Sequence, residues 1–205
     1  RSCVISNGTS VQYQACEVIS NLSRSLARIR ITFIGRLDPI KNVMAVLKLA
    51  RALEEKGGSF VIKVIGDGSQ RELFVSQMQI LNLKFPNEIF YLGARKDVFK
   101  ILKETDVLFN SSLSEGHPLT LLEAMSVGAI CLASNVAGNK DIIEHNVNGL
   151  LYPLNDIDQA ADLLLDVQNG EGKIDELMLN GWLKHCQNFS DEKCFGALKA
   201  HYAIL

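Results

Sequence analysis

Two carboxylates eight residues apart, Glu115 and Glu123, lie in the stretch Ser111 to Gly128, which reads Ser-Ser-Leu-Ser-Glu-Gly-His-Pro-Leu-Thr-Leu-Leu-Glu-Ala-Met-Ser-Val-Gly. A carboxylate is an acceptor-only group with two oxygens. Two of them beside an anion site suit a hydroxyl-rich ligand, such as a sugar and a ribose; bare phosphate they would repel. The anion site follows from the order of residues. Val107-Leu108-Phe109 is a short apolar run suited to a buried parallel strand. Gly116 and Pro118 mark a turn, Pro118 or its neighbour opens a helix, and Leu121, Leu122 and Met125 recur at helical spacing up to the stop at Gly128. Such a helix aims its free N–H groups and positive dipole end out of the C-terminal edge of a sheet, where an anion is favoured. Spacing alone leaves a second reading open, with Glu115 as the helix cap and Glu123 on a solvated face.

A second loop carries cations. In Gly35-Arg36-Leu37-Asp38-Pro39-Ile40-Lys41-Asn42 the Arg36 fork and the compact Lys41 charge stand five residues apart across a turn. Both could reach one diphosphate; equally, they could be two surface cations near Asp38. Gly66-Asp67-Gly68 lets backbone approach a ligand closely, but lacks the later glycine and acidic residue of a dinucleotide fingerprint, and reads as well as a plain tight turn. Of His117, His145, His185 and His201, only His117 falls in a candidate loop, as a pocket-lining residue. No Ser–His–Asp order, His-x-x-x-His pair or P-loop motif is present, so no metal site or cofactor is expected.

The elements that must position these loops alternate. Strands are expected at Cys3–Ile5, Ile29–Ile34, Phe60–Ile65, Glu88–Leu92, Val107–Asn110, Ile130–Ala133 and Leu150–Tyr152. Helices are expected at Val43–Glu55, from a Ser69 cap to about Leu83, at Val98–Glu104, through the Pro118–Gly128 stretch, and at Lys140–His145, Ile157–Val167, Ile174–Cys186 and Phe195–Ile204. Residues 10–27 read as a polar connector with some helix. This order predicts an α/β fold, a doubly wound parallel sheet with helices on both faces. Ligands bind such sheets at the carboxyl ends of the strands, where these loops lie.

The 205 residues suit one domain, and 47% hydrophobic with 21% charged residues is ordinary for a globular protein. A net charge of −2 argues against nucleic acid as a partner. Cys3, Cys16, Cys131, Cys186 and Cys194 are odd in number and lack Cys-x-x-Cys spacing, which fits a reducing cytosol. No apolar run approaches the roughly 18 residues of a membrane span, and no signal peptide is visible. The first residue is Arg1 and not Met, which suggests a piece of something longer.

Taken together, Gly-Arg-Leu-Asp-Pro-Ile-Lys-Asn (35–42), Gly-Asp-Gly (66–68), Glu-Gly-His-Pro-Leu-Thr-Leu-Leu-Glu-Ala-Met (115–125), Gly138 and Asn148-Gly149-Leu150-Leu151 stand in a familiar order. From about Val4 to its end the chain resembles the C-terminal, nucleotide-sugar-binding half of the GT-B glycosyltransferases, and most of all the retaining family-four group. The resemblance implies a Rossmann-like half of a GT-B architecture. It implies that Arg36 and Lys41 hold the donor diphosphate, that Glu115 lies against the donor sugar, and that Glu123 bonds the ribose. It places Gly35, Gly66, Gly116, Leu119 and Thr120 as backbone contacts and Arg95 near the base.

The resemblance also implies a nucleotide-sugar donor without a bound metal, an acceptor glycan or lipid-linked glycan, and a cytoplasmic enzyme with room for peripheral membrane association. Polysaccharide biosynthesis is the expected setting. Residues 1–28 would form an interdomain link and connector. Residues 190–205 would carry a helix that packs on a missing N-terminal domain, which in the family holds the acceptor site and usually a catalytic histidine. Asp141 stands where the family more often has Glu. The rival readings are a non-catalytic nucleotide-sugar-binding or regulatory module, a GT-B sugar-nucleotide epimerase, and an NAD-dependent dehydrogenase, which the incomplete glycine pattern disfavours.

Overall fold

Val107–Asn110 and Ile130–Ser134 are buried along their whole lengths, as strands covered on both faces must be. They form the middle of one sheet in the computed structural model, which describes residues 8–10, 27–82, 84, 89–170 and 173–202. The strands are β1 (Ile29–Ile34), β2 (Phe60–Ile65), β3 (Ile89–Gly93), β4 (Val107–Asn110), β5 (Ile130–Ser134) and β6 (Leu150–Tyr152). Their order is β3-β2-β1-β4-β5-β6, and every neighbouring pair is parallel. The helices are α1 (Met44–Glu55), α2 (Arg71–Asn82), α3 (Val98–Leu102), α4 (Leu119–Ser126), α5 (Ala137–Lys140), α6 (Ile157–Asn169), α7 (Ile174–Lys184) and α8 (Asp191–Tyr202). The expected strand at 3–5, and the connector apart from Ser10 and Ala27, lie outside the described residues.

The period of two in the strands divides the core. Phe33, Phe109, Leu132 and Tyr152 face one layer with α1, α2 and α6, and the Phe109 and Tyr152 rings stack at 5.7 Å. Leu108, Cys131 and Ala133 face the other, with Leu121, Leu122 and Met125 of α4 and Phe189. The doubly wound parallel sheet expected from the alternation is therefore present.

Three local expectations give way to side-chain chemistry. The short helix expected at Lys140–His145 sits earlier, at Ala137–Lys140. Asn148 stops its continuation: its Oδ1 accepts from the Glu144 N–H at 2.7 Å and its Nδ2 donates to the Ile142 carbonyl at 3.0 Å, which holds a turn. Ser69 does not cap α2; its N–H and hydroxyl both donate to Asp38 Oδ1 at 3.2 Å. The helix expected to reach Cys186 ends at Lys184 and continues as a π-helical turn, His185–Phe189. There the buried His185 Nε2 meets Thr9 Oγ1 at 2.8 Å, and Thr9 pairs with Ser190.

At the edge of the sheet away from the loops, Asp106 locks β1 to β4. Its carboxylate accepts from Arg30 N, Nε and Nη2 at 2.8, 3.0 and 2.8 Å, and its side chain is 6% exposed. Asp106→Ala is expected to cost about 3 kcal/mol, because it removes the carboxylate that three donors of the half-buried Arg30 share. A denaturant titration checks the cost. Nucleotide binding, measured well below the melting temperature, should be unchanged, since this lock is remote from the loops.

Candidate functional site

The chain runs outward from β1 through β2 to β3 and then returns to β4 on the other side of β1. The loops after β1 and β4 therefore leave neighbouring strands in opposite directions and open a crevice, the ligand position for such a sheet. Both cationic and acidic candidates stand on these two loops.

The loop after β1 is braced from below. Leu37, fully buried, donates its N–H to the Asp67 carbonyl at 2.9 Å, and the Gln70 N–H returns to the Leu37 carbonyl at 2.7 Å. Gly66 makes this approach possible: its φ is 140°, and a Cβ there would lie 1.8 Å from the Gly35 carbonyl oxygen. The Gly66-Asp67-Gly68 loop thus supports its neighbour, a use that a dinucleotide pyrophosphate would have to displace. The turn closes through a 3₁₀ segment, Pro39–Lys41, and Asn42 adopts φ 53°, a left-handed conformation that asparagine tolerates well.

The loop after β4 is sewn to it. The Leu113 N–H donates to the Ile40 carbonyl at 2.8 Å, and the Ser111 hydroxyl reaches the Lys41 and Asn42 carbonyls at 3.1 and 3.0 Å. Across this seam Lys41 Nζ donates to Glu115 Oε1 at 2.6 Å. The Glu115 side chain is 7% exposed and that of Lys41 25%. The same oxygen accepts from Ser112 Oγ at 2.6 Å and Asn110 Nδ2 at 3.3 Å. Glu115 is therefore not the helix cap. Gly138 of α5 packs under this loop, where a Cβ would come within 2.4 Å of the Glu115 carbonyl oxygen and 2.6 Å of that of Gly116.

Helix α4 opens at Leu119 with Pro118 in the cap position, and no side chain caps it. Its first amides are left to a ligand or to water. Glu123 is half-buried and not on a solvated face; burial pushes its carboxyl above the usual range.

The structure brings Lys41 and Glu115 together and sets them beside the mouth of α4. It does not draw Arg36 into this contact. The Arg36 side chain is 74% exposed, with Nη1 3.3 Å from Asp38 Oδ2. Asp38 is held below the usual carboxylate range by the Ser69 N–H, with smaller help from the Ser69 hydroxyl and Arg36. Arg95, past the end of β3, forms an exposed two-bond clamp with Asp97, at 2.8 Å each. Gly35 continues the β1 ladder to the Ile65 carbonyl at 3.1 Å, Gly116 is exposed in the loop, and Leu119 and Thr120 form the first turn of α4. His117 lies against Phe189, ring centroids 5.8 Å apart. Asn110, Ser112 and Asn139, which hold Glu115 and its support, carry no motif; the only trace in the sequence is a polar residue closing an apolar strand.

Residues 20–182 match the family model described as glycosyl transferases group 1. The chain belongs to that family. Among group 1 relatives, it is 36% identical over 160 residues to the UDP-Gal:alpha-D-GlcNAc-diphosphoundecaprenol alpha-1,3-galactosyltransferase of Escherichia coli, covering 77% of this chain and 39% of that protein. It is 29% identical over 157 residues to the lipopolysaccharide 1,6-galactosyltransferase of Salmonella typhimurium, covering 74% and 43%. The chain thus spans about half the length of these relatives, and the matched stretch covers less than half of each. In fold it matches the crystal structure of Anabaena HepE in complex with UDP and glucose, with a TM-score of 0.80 at 19% identity over 99% of this chain and 57% of that one. The GT-B, Rossmann-like character expected from the sequence is confirmed by these likenesses.

Proposed function

We propose that this chain is the donor-binding half of a retaining, family-four-like glycosyltransferase, which moves a sugar from a nucleoside diphosphate to an acceptor hydroxyl. The Lys41–Glu115 contact at the mouth of α4 carries the reading. It sets a cation for phosphate and a carboxylate for sugar hydroxyls within one bond of each other. Lys41 has three protons, so an ammonium bonded to Glu115 still has two for a phosphate oxygen. In this reading the diphosphate sits between Lys41 and the amides of Leu119 and Thr120, with the Arg36 fork swinging in from solvent. As the bond from the sugar carbon to the diphosphate oxygen breaks, these groups take up the growing negative charge. The acceptor oxygen forms the new bond to the sugar carbon, and its proton passes to the departing diphosphate oxygen.

Among the described residues no group of three or more His, Cys, Asp or Glu is placed to hold a metal, and the proposed mechanism assigns the phosphate charge to Arg36, Lys41 and the helix. The E. coli relative is named for UDP-Gal and a diphosphoundecaprenol acceptor, and the HepE structure holds UDP and glucose. These favour UDP as the leaving nucleotide and a glycan or lipid-linked glycan as acceptor; the reading sets this in polysaccharide synthesis, at the cytoplasmic side of a membrane. No helix among the described residues is long and apolar enough to cross one, and this reading takes any contact with the bilayer as peripheral. A further N-terminal half supplies the acceptor site in this proposal, and residues 190–205 pack against it.

Thermal shift of this chain against UDP, GDP, ADP and NAD tests the reading. UDP is expected to raise the melting temperature and NAD to leave it unchanged, with little or no sugar turnover by the chain alone. A chain stabilised by NAD and by none of the diphosphates would sink the proposal.

Glu123 gives a second test with two signs. Its carboxyl is raised on folding, so the protonated form is the better folded form; that stability is complete below the ordinary glutamate range and is lost as pH rises through the raised value. Glu123→Gln is expected to melt higher than wild type at neutral pH, with the advantage vanishing near pH 4. It should also bind UDP more weakly, because a carboxylate partner of the ribose is gone. Melting curves from pH 4 to 8, paired with calorimetry, check both signs.

A further inference from the structure

Glu115 is held by one oxygen only. Lys41, Ser112 and Asn110 all donate to Oε1, and no described residue donates to Oε2. Two of the three donors are neutral, and both are fixed from behind. Asn110 Oδ1 accepts from the Ser112 N–H at 3.1 Å and from Asn139 Nδ2 at 3.4 Å, so the amide cannot turn over without opposing like dipoles. Asn139, itself fully buried, is anchored by Nδ2 to the Ser134 carbonyl at 2.8 Å and to Ser134 Oγ at 3.2 Å. The Ser134 hydroxyl then donates to the Ser112 carbonyl at 2.6 Å, which closes the network.

This arrangement exceeds what an ion pair needs, since a lysine alone would neutralise Glu115. Its effect appears when Lys41 is drawn to a phosphate. The lysine bond to Glu115 then weakens, and the donors without charge, which an anion does not attract strongly, keep the carboxylate in place. We propose that Asn110 and Ser112 are positioning residues of the donor-sugar subsite: they hold one oxygen of Glu115 inside the protein so that the other faces the sugar hydroxyls. The inference rests on the donor-site reading and adds to it the residues that separate sugar recognition from diphosphate recognition.

Calorimetry of the wild-type chain, Asn110→Ala and Ser112→Ala against UDP, UDP-glucose, UDP-galactose and UDP-GlcNAc tests it. For whichever UDP-sugar the wild type binds most tightly, each variant is expected to lose about tenfold in affinity while keeping UDP within about twofold. A purely structural role would lower both ligands together. Equal losses for UDP and UDP-sugar, no loss for either, or a wild type that binds UDP but no UDP-sugar would overturn this inference and leave the nucleotide site standing. A wild type that binds none of the four would overturn the choice of UDP-sugar as donor and this inference with it. Ser112→Ala removes only a hydroxyl and decides the matter if Asn110→Ala fails to fold.

Discussion

Lys41→Ala is expected to weaken UDP binding about thirtyfold and to lower the melting temperature in the same protein. The first effect follows from charge: hydrogen bonds from an ammonium to a phosphate contribute about 1.5–3 kcal/mol. The second follows from what remains. Glu115, 7% exposed, keeps two neutral donors but loses its counter-charge. A buried pair broken on one side can cost about 3–5 kcal/mol; with a quarter of the lysine side chain in solvent, about 1–2 kcal/mol is the expected share, or roughly 2–8 °C for a chain of this size. Two companions separate the causes. Glu115→Gln frees Lys41, so UDP affinity should hold while UDP-sugar affinity falls. Arg36→Ala removes a screened surface charge, so UDP should weaken only about threefold with no change in melting. Undiminished UDP binding by Lys41→Ala would remove this residue from the phosphate site.

Gly66→Ala is expected to destabilise by about 3 kcal/mol or more, near 10 °C in melting temperature. Two penalties combine at this position. The φ of 140° is one that an alanine resists, and the added carbon would meet the Gly35 carbonyl oxygen at 1.8 Å. That oxygen belongs to backbone, so relief requires the β1 and β2 loops to part. Since the β1 loop carries Arg36 and Lys41, nucleotide affinity should fall even where the variant remains folded. Gly116→Ala is the matched control: a Cβ there would meet nothing within 4 Å, and melting should not move. Circular dichroism melts of the two variants, followed by calorimetry at about 15 °C, make the comparison. Equal melting temperatures would show that the two loops yield more readily than their spacing implies.

Much of this architecture is legible in the residues. Apolar runs such as Val107-Leu108-Phe109 and Ile130-Cys131-Leu132-Ala133 are buried strands because only a sheet covered twice can hide every side chain. The helix after Pro118 and its end before Gly128 also stand where turn chemistry puts them. What local pattern does not carry are partnerships between distant segments. Ser69 has the chemistry of a cap and serves Asp38, 31 residues away. Lys41 and Glu115 are each suited to one ligand, but their direct bond joins loops 74 residues apart, and no local pattern encodes that. Asn110 and Asn139 are ordinary turn formers by composition; only the fold turns them inward. Gly66 has the freedom that close approach to a ligand needs, and its close neighbour in the structure is the Gly35 carbonyl.

The seam between the two loops has a consequence for docking. Ile40, Lys41 and Asn42 are already tied to Ser111 and Leu113 by backbone and hydroxyl bonds. A receptor assembled in advance spends none of the incoming molecule's attraction on ordering itself. On encounter, ordering should therefore be confined to exposed side chains such as Arg36, and the backbone of both loops should keep its shape when the anion docks.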